Sequence, residues 1–85
     1  MNDAPIKLDR NHAKTLLEAL TIASKDGNWY GVRREPQDRL RAGNYEIKRS
    51  EIKFFISCIG IAVDGSRDLE FNRHCDALVK YLQAL

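Results

Sequence analysis

Glu51-Ile52-Lys53-Phe54-Phe55-Ile56-Ser57-Cys58-Ile59-Gly60-Ile61-Ala62-Val63 is the most apolar and most clearly bounded stretch of the chain, and its reading decides the fold. Ser50 in front can cap a helix by accepting from an orphan backbone N–H, and Asp64-Gly65 behind offers a left-handed exit. Ile52, Phe55, Ile56, Ile59 and Val63 recur at helical spacing, while Phe54, Cys58, Ile61 and Ala62 keep the other face apolar. Such a helix is covered on most of its sides. The rival reading is a β-strand turning at Asp64-Gly65, because the stretch is rich in β-branched residues. Its partner strand would have to be Ser66-Arg67-Asp68-Leu69-Glu70-Phe71, which has little of the apolar alternation a strand needs. The helix is therefore expected over 51–63. Gly60 inside it costs about 1 kcal/mol relative to alanine, which points to close contact with another helix.

Outward from this centre the chain supplies covering elements. Ser66 or Asp68 caps a last helix over about 67–84, with Leu69, Phe71, Cys75, Leu78, Val79, Leu82 and Leu85 on one stripe. Asp9 caps a first helix over about 10–25, where His12, Ala13, Leu16, Leu17, Ala19, Leu20 and Ala23 recur at the same spacing and Gly27 ends the run. Pro36 suits the first turn of a short helix near 36–41, ended by Ala42-Gly43-Asn44. Residues 1–8 read as an extended arm, and Tyr45 to Arg49 as a brief extended piece or a lead-in to the central helix. The expected fold is a single all-α domain over 1–85: three main helices and a short one, with a basic aromatic connector between the first helix and the central one.

Composition narrows the function classes. At 85 residues, 44% apolar and 31% charged, the chain has ordinary globular proportions and should fold. A chain this short buries only about 60–65% of its unfolded surface, so a partner has room to add stability. The longest apolar run, Phe54–Val63, is about half of the roughly 20 residues a membrane span needs. Met1-Asn2-Asp3-Ala4-Pro5 has neither a basic region nor an apolar one of the kind a signal peptide carries, so the cytoplasm is the expected location. Net charge is +2, and the excess lies in residues 29–53, where seven basic residues face four acidic ones.

A search for chemistry finds little. The five glycines, at 27, 31, 43, 60 and 65, are dispersed and make no phosphate cradle. His74-Cys75 could join Cys58 and His12 only by converging from three helices, without the paired spacing of a metal site, so no metal or cofactor is expected. Cys58 and Cys75 read as small buried hydrophobes. A helix-turn-helix over 37–63 has the right order of parts, but its second helix has only Glu51, Lys53 and Ser57 to offer base edges. No catalytic constellation emerges, and an enzyme is not expected.

Two functional expectations follow. The first is a non-catalytic protein-interaction module, a small regulator, inhibitor or adaptor. It would bind another protein through Trp29, Tyr30, Arg33, Arg34, Arg39, Arg41, Lys48 and Arg49, and self-associate through a strip formed by Phe54, Cys58 and Ile61. The alternative is a small nucleic-acid-binding regulator that contacts phosphates through segment 33–53, with Trp29 or Tyr30 for stacking.

Overall fold

The first element to form a boundary is Asp9, whose carboxylate accepts from the backbone N–H of His12 at 2.9 Å and starts helix α1, Arg10–Ser24. The computed structural model describes residues 5–25 and 34–85, excepting the side chains of Arg34 and Glu35. After α1 come α2 (Arg34–Arg41), α3 (Ile52–Asp64) and α4 (Leu69–Gln83). Two short extended pieces, β1 (Ile6–Lys7) and β2 (Glu46–Ile47), pair antiparallel with Ile6 opposite Ile47. The result is the small all-α bundle that the periodicity predicts, and the extended arm at its start is fastened to the connector. That ribbon, extended by a bond from the Leu8 N–H to the Tyr45 carbonyl at 2.8 Å, buries Leu8 and Ile47 beneath it.

The core lies where three apolar stripes meet. Helix α1 contributes Ala13, Leu16, Ala19, Leu20 and Ala23, α3 contributes Phe55, Cys58, Ile59 and Ala62, and α4 contributes Cys75, Leu78 and Leu82. The most extensive pairing is α1 against α3. Alanines on both stripes let the two backbones approach, and the large side chains between them fill the space. Among the described residues no helix is long and apolar enough to cross a membrane.

Two local expectations are corrected. Gly65 has φ −94°, so α3 does not leave through a left-handed residue; the left-handed glycine is Gly43, at φ 90°, which ends α2. Ser50 is not the start signal of the central helix. A 3-10 turn over Arg49–Glu51 precedes α3, and the Glu51 carboxylate caps it by accepting from the Lys48 N–H at 2.8 Å. The last helix begins at Leu69, after Asp68, whose carboxylate accepts from the N–H groups of Glu70 and Phe71 at 3.0 and 3.1 Å.

Glu51 has a second task. Arg39 on α2 donates from Nη2 to both of its carboxylate oxygens, at 2.9 and 3.1 Å, with only 15% and 21% of the two side chains exposed. One carboxylate thus starts the turn into α3 and fastens α2 beside it. Charge-assisted bonds of this kind are worth about 1.5–3 kcal/mol each when a partner is removed. Glu51→Ala is expected to destabilise the fold by about 2–3 kcal/mol in urea unfolding, with Glu51→Gln intermediate; unfolding curves that coincide with the wild type would show that the clamp does not hold α2.

Candidate binding groove

Of the residues nominated from sequence, the structure describes the side chains of Arg39, Arg41, Lys48 and Arg49. Trp29, Tyr30 and Arg33 lie outside the described residues, as does the side chain of Arg34. Arg39 is turned inward and committed to Glu51. Arg41 stays on its own helix, with Gln37 Oε1 at 3.5 Å and Asp38 at 3.7 Å, an exposed pairing of small value. Arg49 donates to the main-chain oxygen of Leu85, at the far end of α4. Lys48 is exposed, and its backbone N–H serves the turn into α3.

Of the apolar strip expected on α3, Cys58 is corrected: it is fully buried in the core. Phe54 and Ile61 are partly buried against the core, Phe54 with its ring tilted on Phe55 at 5.7 Å. On the other flank of α3, Ile56, Gly60 and Val63 follow one another at i, i+4 and i+7, with Ile56 and Val63 likewise partly buried and Gly60 exposed.

There, α3 and α4 diverge around a groove of about 670 Å³, within the range of small-ligand and peptide sites. Ile56, Ile59 and Val63 form one wall and Leu69, Cys75 and Val79 the other, with Asp64, Arg73 and Asp76 also lining it. Leu69 stands out from it with 76% of its surface exposed, the most exposed large hydrophobe among the described residues. Gly60 opens the middle. A Cβ there would meet nothing within 4 Å, so the close helix contact expected of this glycine is not made within the described chain. Asn72 adds an unmet polar group: its Oδ1 is buried without a hydrogen-bond partner among the described residues.

Burial holds the Cys75 thiol protonated, pushed up to about 11, with the nearby Glu18 charge adding to the shift. Burial also raises Cys58 to about 11, a backbone hydrogen bond offsetting part of the effect. Both cysteines are free thiols. Two other hollows lie on different faces: one between Lys14, Leu17, Ile22, Arg41 and Phe71, and a more polar one beside Glu18, Asp68, Glu70 and His74. In the latter, His74 and Glu70 approach only to 4.0 Å in an exposed pair. Among the described residues no group of three or more His, Cys, Asp or Glu is placed to hold a metal ion.

A scan against family models and searches among curated proteins and solved structures found no match.

Two outcomes are expected from this geometry. Because the Gly60 position is open and helical, Gly60→Ala should raise thermal stability by up to about 1 kcal/mol; a loss of stability would show that the glycine is required within the fold. Ellman's reagent at pH 8 should label both cysteines slowly until urea exposes them. The folded state holds thiol protons that the unfolded chain releases near pH 9, so stability should fall as pH rises from about 9 to about 11. Rapid labelling of native protein would contradict the burial.

Proposed function

We propose that this chain is a non-catalytic protein-interaction module, a small regulator or adaptor that receives an apolar segment of another polypeptide in the α3–α4 groove. The observation that carries the reading is the groove itself, walled by aliphatic side chains, open at Gly60 and flanked by the exposed Leu69. Laying an amphipathic helix into such a groove is a recurrent mode of peptide recognition. Two free thiols suit a reducing compartment such as the cytoplasm. The alternative, phosphate binding by segment 33–53, has less to draw on with Arg39 committed to Glu51.

Affinity capture from source cells tests the reading. Tagged wild-type protein should retain a polypeptide that Gly60→Glu and Leu69→Gln lose at least tenfold, while Arg41→Ala and Lys48→Ala retain it. Equal retention by the groove variants overturns the proposal, and a retained nucleic acid lost on Arg41→Ala or Lys48→Ala favours the alternative.

A further inference from the structure

Three features of the groove are complementary to one another, and together they specify its occupant. Leu69 protrudes at the start of α4, and Gly60 leaves a vacancy one turn before the end of α3, the two helices being joined only by residues 65–68. The groove therefore carries both a projection and a recess of matching chemistry. Asp64 and Arg73 carry opposite charges on its lining, and neither side chain makes a hydrogen bond or ion pair among the described residues. Their neighbour Asp76 on α4 has a local partner, Lys80 at 3.6 Å in an exposed pair.

Gly60 sharpens the point. It stands in the middle of a helix, has no positive φ and touches nothing where its Cβ would be, so no conformational need or packing within the described chain offsets its cost to the helix. A glycine there is explained by a second helix surface coming close from outside.

We infer that the occupant is a second copy of the same chain, in a two-fold dimer in which Leu69 of each copy seats over the partner's Gly60 and Asp64 of each pairs with the partner's Arg73. The inference rests on the groove being a protein-docking site and names the protein that docks. A two-fold interface uses the same patch on both copies, so residue i meets j while j meets i. A patch with both a projection and a recess, and both an unpaired acid and an unpaired base, meets that condition with each contact made twice. This interface uses the flank of α3 opposite Phe54 and Ile61.

Sedimentation equilibrium in low salt, from about 10 to several hundred micromolar, the range suited to a small interface, tests it with the full chain. Wild type should pass from monomer to dimer across that range. Leu69→Gln should stay monomeric with its unfolding curve unchanged, since Leu69 is exposed in the monomer. Asp64→Arg and Arg73→Asp should each weaken dimerisation at least tenfold by setting like charges together, and the double variant D64R/R73D should restore it to within a few-fold of wild type. Both singles suit the fold: Asp64 ends α3, where a cation is favoured, and Arg73 is exposed.

Monomeric wild type at every concentration overturns the inference. So does a dimer that survives Leu69→Gln, or a double charge swap no better than the singles. If wild type is monomeric yet captures a different polypeptide that the groove variants lose, the dimer falls and the docking site stands. If it is monomeric and the groove variants retain everything wild type retains, both fall.

Discussion

The carboxylate of Glu51 is the point on which the arrangement of helices turns. It accepts from the backbone at Lys48, setting the turn that leads into α3, and it receives the guanidinium of Arg39 from α2. Because the two side chains are mostly covered, the pairing is less screened than a surface bridge, and one nitrogen, Nη2, reaches both carboxylate oxygens. The same pairing removes Arg39 from the cations available to an outside ligand. A residue that the composition assigns to recognition is spent on architecture.

With α3 oriented by that junction, its apolar circumference is divided unequally. The arc through Phe55, Cys58, Ile59 and Ala62 is taken by the core, and the flank of Phe54 and Ile61 is partly covered. The flank of Ile56, Gly60 and Val63 faces α4 across a gap that α4 does not close, since its own stripe of Cys75, Leu78 and Leu82 turns to the core and leaves Leu69 outside. The groove is thus a consequence of a short chain with one helix apolar on nearly every side. Among the described residues, the four helices and the short ribbon leave it open.

The legible parts of the sequence were those with contrast. Helices α1 and α4 have distinct polar and apolar faces, and Asp9 and Asp68 stand where caps belong, so their existence and inward stripes follow from spacing alone. Helix α3 lacks contrast: with apolar residues around most of its circumference, periodicity establishes a helix but does not say which arc is buried, and Cys58, which the spacing puts on an outward strip with Phe54 and Ile61, lies in the core. The Arg39–Glu51 pair joins residues twelve apart across a turn, which no local pattern encodes. Gly60 is a signal of the groove in the sequence: a glycine inside a helix marks a place where a neighbour can come close, and here the space beside it is open.

The bond from Arg49 to the main-chain oxygen of Leu85 has a consequence for the groove. Helices α3 and α4 are joined by residues 65–68 at one end, and this bond ties the start of α3 to the end of α4 at the other. The hairpin is therefore linked at both ends, covalently at one and by an exposed hydrogen bond at the other, and each such link lowers the ordering entropy that a contact along the two helices would cost.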